Sequence, residues 1–154
     1  MPQSIISLIS TADVTDLQAI LGLTELFPAE YLPQLLAPFF ADETEAIWLT
    51  SRIDGTAVGF CYLEPEELAQ GTWNMRAIAV HPDFQRMGIG KALVQKSEDT
   101  LRESGQRILI VDTSGTEDFA ATRLFYTRNN YELEAQIRDF WAKGDDKVIF
   151  RKAL

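Results

Sequence analysis

Apolar and polar residues alternate through two adjacent stretches, "AIWLTSRI" at 46–53 and "TAVGFCYL" at 56–63, with only Asp54 and Gly55 between them. Period-two alternation marks a half-buried strand, and an Asp-Gly pair takes the positive φ angles of a tight turn, so this region predicts a β-hairpin. "TWNMRAIAV" at 72–80 adds a third strand. Before them, the short isoleucine-rich "SIISLI" at 4–9 reads as a strand, and Asp13 or Thr15 caps a helix carrying Ala19, Ile20 and Leu23. Pro28, Pro33 and Pro38 divide 24–42 into short helical pieces, whose aromatics Phe27, Tyr31, Phe39 and Phe40 belong either to the core or to a groove.

After residue 88 the period lengthens. Ile89, Leu93, Ser97, Thr100 and Leu101 share one face of a helix from Gly88 to Ser104, opposite Lys91, Gln95, Glu98 and Arg102, and Gly105 ends it. "RILIVD" at 107–112 suits a strand covered on both faces. Ser114 with Glu117 then fits a capping box opening a helix to about Arg128. Alternation returns with Leu133, Ala135 and Ile137 on one face and Glu132, Glu134, Gln136 and Arg138 on the other, and "KVIFR" follows the turn signal Gly144-Asp145. The order is strand, helices, three strands, helix, strand, helix, two strands, which makes an α/β (α+β) chain with a mixed sheet of about seven strands flanked by helices. No repeat or linker interrupts it, so 1–154 is expected to be one domain.

Composition narrows the partners. Fourteen Lys and Arg stand against 23 Asp and Glu, a net charge of -9, which argues against nucleic acid and suits a cationic substrate, or simply keeps the protein soluble. The single cysteine, Cys61, excludes an internal disulfide and points to the cytoplasm. With one histidine, His81, a zinc site would rest mostly on carboxylates, so no metal is expected. "MPQSIISLIS" lacks the basic start and apolar stretch of a signal peptide, and no apolar run approaches the ~18 residues of a membrane span, so no membrane partner is expected.

The chemistry concentrates in "HPDFQRMGIG" at 81–90, between the strand ending at Val80 and the helix opening near Gly88. Amides at a helix N-terminus lack intrahelical partners and face the positive end of the helix dipole, so a loop without side chains at Gly88 and Gly90 suits a phosphate. The dinucleotide fingerprint fails because Leu93 stands where a third glycine is needed, and the P-loop fails at Gln85 and Ala92.

What remains is Gln85-Arg86-Met87-Gly88-Ile89-Gly90, a Q-x-x-G-x-G stretch within "AIAVHPDFQRMGIGKALV", joined downstream by "LFYTRNNY" at 124–131. On these motifs and the element order, the chain resembles the GNAT superfamily of acyl-CoA-dependent N-acyltransferases, firmly over 56–131 and loosely at both ends. The resemblance implies a mostly antiparallel sheet and acetyl-CoA as cofactor. Backbone amides from Arg86 through Met87, Gly88 and Ile89 to Gly90, flanked by Gln85 and Lys91, would hold the coenzyme A pyrophosphate. Ile78, Ala79 and Val80 would pair through main chain with the pantetheine arm. The alternative is that Gly88 and Gly90 only relieve crowding between helix and sheet.

The implied reaction is attack of a neutral primary amine, on a small molecule or a protein, upon the acetyl thioester. An alkyl amine with a pKa near ~10.4 must first lose a proton, and the leaving thiolate benefits from a donor. The family motif places that donor at Tyr126. At ~100° per residue, Ala121, Leu124, Phe125 and Arg128 share a face and Tyr126 lies about 140° away, so packing on the main apolar stripe does not explain it; a second buried face shared with Phe119 is the alternative. Glu64, Glu66, Asp112 and Asp139 are acidic residues near strand ends, none distinguished as the base, and a water chain would serve as well. His81 reads as turn chemistry. An amide near Ala79 or Val80 would receive the developing negative charge on the carbonyl oxygen. Cys61 reads as core.

Two departures from the family pattern stand out: Phe119 where many relatives have asparagine, and Asn130 where glycine is usual, a mild change because asparagine tolerates the left-handed conformation. Asp139, Trp141, Asp145 and Asp146 either receive a cationic acceptor or form a charged surface turn. A chain of this kind is an N-acetyltransferase or, alternatively, a non-catalytic acyl-CoA-binding regulatory module; homodimers are common in the superfamily.

Overall fold

The computed structural model describes residues 3–154; Met1 and Pro2, the start of the stretch read for a targeting signal, lie outside the described residues. The elements are β1 (Ile5–Leu8), α1 (Val14–Thr24), α2 (Leu32–Phe40), β2 (Ile47–Ile53), β3 (Thr56–Pro65), β4 (Thr72–Val80), α3 (Ile89–Glu103), β5 (Ile108–Ser114), α4 (Ala120–Arg128), β6 (Glu132–Ala142) and β7 (Asp145–Ala153). The sheet has seven strands in the order β1-β2-β3-β4-β5-β7-β6. β4 and β5 run parallel, while β1 with β2, β2 with β3, β5 with β7 and β7 with β6 are antiparallel. The expected mixed, mostly antiparallel sheet is therefore present. No helix among the described residues is long and apolar enough to cross a membrane.

The chain divides into two compact units, one formed by residues up to Glu64 with Arg76–Thr100, the other by Pro65–Met75 with Leu101–Leu154. In the first, alternation along the strands sends neighbours to opposite faces. Trp48 and Phe60 join Leu17, Ile20 and Leu21 of α1 and Leu32 and Leu36 of α2, whereas Leu49, Val58 and Cys61 join Ile89 and Leu93 of α3. Trp48 stacks on Tyr62 at 4.1 Å. The hairpin forms as read, with Asp54 at φ 51 and Gly55 at φ 82. Phe27 and Phe39 pack on the core, but Tyr31 and Phe40 are exposed.

Asp13 has a different job from the one expected. Its carboxylate accepts from Ser10 N at 2.8 Å and from Arg52 Nε and Nη2 at 2.8 and 2.5 Å, so it ties β2 to the turn before α1 rather than capping the helix. Glu98, expected on the solvent side of α3, is buried.

In the second unit, Leu109, Val111, Tyr126, Tyr131, Val148 and Phe150 are buried. The expected capping box does not form. β5 runs on to Ser114, captured by pairing with Lys147 of β7, and Ser114 Oγ donates to Asp145 Oδ1 at 2.5 Å. A 3-10 turn at Glu117–Phe119 then leads into α4. β6 corrects a second expectation: its alternation does not produce a buried face, since every residue from Glu132 to Ala142 is exposed. It is the edge strand of the sheet.

Candidate active site

In the first unit, β4 delivers the chain to the glycine loop through a built turn. His81 N donates to Val58 O at 2.8 Å, and His81 Nδ1 accepts from Asp83 N at 3.1 Å, while its ring meets Phe84 edge-on at 5.5 Å. His81 thus caps the 3-10 turn Pro82–Phe84, the structural role that its sequence suggests. Gln85 Nε2 donates back to Val80 O at 3.3 Å. The chain then takes two left-handed residues, Arg86 at φ 65 and Gly88 at φ 78. For a non-glycine residue that conformation costs about 1–2 kcal/mol, so Arg86 carries strain the loop must offset.

Ile89 is buried against the sheet and anchors the first turn of α3, whose 15 residues supply the helix dipole. Gln85 through Gly88 and Lys91 are exposed around that N-terminus. Ile78 and Val80 pack toward Ile89 and Leu93, and Ala79 faces α1 and α2.

A Cβ built on Gly88 meets nothing within 4 Å. Relief of crowding therefore does not explain this glycine; the open space in front of it and its left-handed φ fit an anion approaching the main chain. A crowded glycine that sequence reasoning missed is Gly59. Its Cβ would stand 3.2 Å from Ala79 O, 3.2 Å from Ile89 Cγ2 and 3.3 Å from Leu93 Cδ1, so a bare backbone there lets α3 seat against the sheet. A glycine inside an alternating strand was the available signal.

β4 pairs with β5 from Thr72↔Ile108 to Met75↔Val111. The strand then continues as Arg76–Val80 in the first unit.

Tyr126 lies in the second unit, on α4. The packing argument for it is overturned: Tyr126 is buried, whereas Leu124 and Ala121 of the expected stripe are exposed. Its ring contacts Phe125, Tyr131 and Phe150 at 5.3, 5.8 and 5.5 Å. Phe119, the suggested partner of a second face, is itself exposed. Asn130 adopts φ 68, the left-handed conformation its replacement of glycine requires.

Each acidic candidate already has partners. Glu64 accepts from Tyr62 Oη at 2.7 Å and Arg76 Nε at 2.6 Å, and burial together with that carboxylate pushes the Tyr62 phenol above its ordinary range. Glu66 accepts from Asn74, Asp112 pairs with Lys147, and Asp139 accepts from Gly144 N at 2.8 Å. In the tail, Asp146 accepts from Asp139 N at 2.9 Å and from Gln136 Nε2 at 2.6 Å, in that order the causes that lower its pKa. Asp139, Asp145 and Asp146 thus build the β6–β7 turn, and Trp141 Nε1 donates to Thr113 O at 3.2 Å. Cys61 is fully buried, 3.3 Å from Ser97 Oγ, and burial pushes its thiol up to about 12, which keeps it protonated and unsuited to nucleophilic work.

Residues 16–131 match the acetyltransferase (GNAT) family. An N-alpha-acetyltransferase from Sulfurisphaera tokodaii is 25% identical over 158 residues, covering 95% of this chain and 92% of the relative. Among solved structures, a GNAT-family protein from Desulfovibrio desulfuricans superposes with a TM-score of 0.91 at 26% identity, over 98% of this chain and 99% of its own. A protein from Salmonella typhimurium, solved with its cofactor acetyl-CoA, has a TM-score of 0.77 at 17% identity, over 98% and 94% of the two chains.

Proposed function

The chain belongs to the GNAT family of acetyltransferases, and from that premise we propose how its residues carry out acetyl transfer from acetyl-CoA to a primary amine. The observation that carries the reading is the loop at 85–91: two left-handed residues and an unencumbered Gly88 in front of the N-terminus of α3. In the proposal, the amides from Arg86 to Gly90 hold the pyrophosphate, with Gln85 and Lys91 at the margins, and the helix dipole favours its charge. Ile78, Ala79 and Val80 offer main-chain groups to the pantetheine arm, supported by the continuation of β4 beyond its pairing with β5.

Acetyl-CoA, when bound, supplies an acetyl thioester open to direct attack by a neutral amine. The attacking nitrogen's surplus proton leaves through water to bulk solvent as the C–N bond forms. Tyr126 donates its phenolic proton at the departing sulfur as the C–S bond breaks and regains one from solvent, and an amide at Ala79 or Val80 hydrogen-bonds the carbonyl oxygen. The acceptor is a protein amino group, as the name of the Sulfurisphaera relative suggests, or a small-molecule amine. The protein acts as one domain in the cytoplasm, without nucleic acid or membrane. A homodimer belongs to the proposal, supported by the exposed edge strand β6 with Leu133 and Ile137.

Calorimetric titration with acetyl-CoA, dephospho-coenzyme A and pantetheine tests the loop assignment. Binding should weaken sharply when the pyrophosphate is absent; equal binding of pantetheine would refute it. Tyr126→Phe should keep the affinity for acetyl-CoA and lose turnover, and parental turnover in that variant would remove the assigned acid.

A further inference from the structure

The outward side of α2 has the composition of an interior. Among its solvent-facing residues Pro33, Gln34, Leu35, Ala37, Pro38 and Phe40, only Gln34 is polar. A helix that is apolar all round is ordinarily buried, yet α2 uses only Leu32, Leu36 and Phe39 to join the core of its unit. At about 100° per residue, Tyr31, Leu35 and Pro38 fall within roughly 60° of one another, some 100° round the helix from that inner face. Tyr31 is 55% exposed and Leu35 40%. Pro33 and Pro38 fix backbone angles along this stripe, so little conformational freedom is left to lose when something covers it.

The charge around the stripe has one sign. Residues 1–51 contain no Lys, Arg or His. Glu25 and Glu30 precede α2, and Asp42, Glu43 and Glu45 follow it, all exposed and none in an ion pair among the described residues. With no cation between positions 25 and 45, these carboxylates place -5 of the chain's net -9 at the two ends of a helix of nine residues. Such a helix is about 14 Å long, so both clusters lie about one Debye length, ~8 Å, from its middle.

Independently of the acetyltransferase reading, we propose that the outward face of α2 docks a basic amphipathic helix of another protein. The apolar side of that helix covers Tyr31, Leu35 and Pro38, and its Lys or Arg side chains meet the carboxylates at both ends. The main chain of α2 is bonded within its own helix, so recognition runs through side chains and not through strand addition. A second copy of this chain would set acids against acids in either orientation, and an anionic lipid surface would be repelled.

The test titrates ¹⁵N-labelled full-length protein with an N-acetylated leucine–arginine peptide of about 14 residues, roughly four helical turns, which offers no primary amine to acylate. Amides of residues 31–41 should shift. Affinity should fall at least tenfold for a scrambled peptide of the same composition and for a leucine–glutamate counterpart. Tyr31→Ser combined with Leu35→Ser should cost at least tenfold in affinity at an unchanged urea midpoint, because both side chains are exposed. Glu30→Gln combined with Glu43→Gln should weaken binding severalfold and flatten its salt dependence. Equal binding of either control peptide, parental affinity in the Tyr31 and Leu35 variant, or shifts centred outside α2 would overturn the proposal. So would a dimer that this variant abolishes, which gives the face to a second copy, or flotation of the parent with phosphatidylserine vesicles, which gives it to a membrane.

Discussion

Gly88→Ala separates a phosphate cradle from a mere turn. The residue sits at φ 78 with nothing within 4 Å of an added Cβ, so the protein itself raises no steric objection. The cost to stability is conformational, about 1–2 kcal/mol for an L-residue held left-handed. Ligand affinity should suffer more. If the chain relaxes toward negative φ, the amides of Gly88 and Ile89 turn away from the anion. Each charge-assisted hydrogen bond lost is worth about 1.5–3 kcal/mol, or roughly 10- to 150-fold in Kd. Gly55→Ala is the matched control, because Gly55 has φ 82 and equally open surroundings but lies in the β2–β3 turn. Urea denaturation should show similar losses for the two variants, and calorimetry with acetyl-CoA should show weakened binding only for Gly88→Ala. Affinities within twofold of the parent for both variants would refute the cradle and leave the loop as a turn into a helix.

Gly59→Ala should destabilise by about 1–3 kcal/mol through overpacking, since its Cβ would crowd Ala79 O and Ile89; an unchanged urea midpoint would contradict the contacts described. Arg52→Met should lower stability at neutral pH by about 2–4 kcal/mol, between the values for exposed and buried pairs. Because the Arg52 hydrogen bonds hold the Asp13 carboxyl below its ordinary range, their stabilisation is complete above the unfolded carboxylate pKa of about 3.9 and is lost as pH falls through the folded value. The variant should therefore show a shallower stability decline below about pH 4 than the parent, and parallel curves would disprove the linkage. Cys61, buried with its thiol pushed up to about 12, should resist thiol reagents in the native protein and react promptly in urea; rapid native labelling would show that the strand opens.

The sequence carried the local features that depend on few neighbours. Asp54-Gly55 specifies its turn by intrinsic φ preference, Asn130 keeps a left-handed site for the same reason, and the glycine turn between β4 and α3 is legible because strand, turn and helix start are contiguous. The order of elements followed from hydrophobic period together with the proline, glycine and Asp-Gly boundary signals.

Whether a face is covered was decided elsewhere. β6 alternates as a half-buried strand does, yet all its residues are exposed because it is the last strand of the sheet, and period reports which side chains share a face without saying what packs on it. Tyr126 fell off the apolar stripe of its own helix and is buried because Tyr131 and Phe150, from other parts of the chain, supply the ring contacts. The roles of Gly59 and of Asp13 with Arg52 depend on residues 20 to 39 positions apart in the chain. Sequence determined the elements and the glycine turn before α3 through short-range sterics and period. Burial and ion pairing came only with tertiary structure, because they arise where distant segments meet and water is excluded.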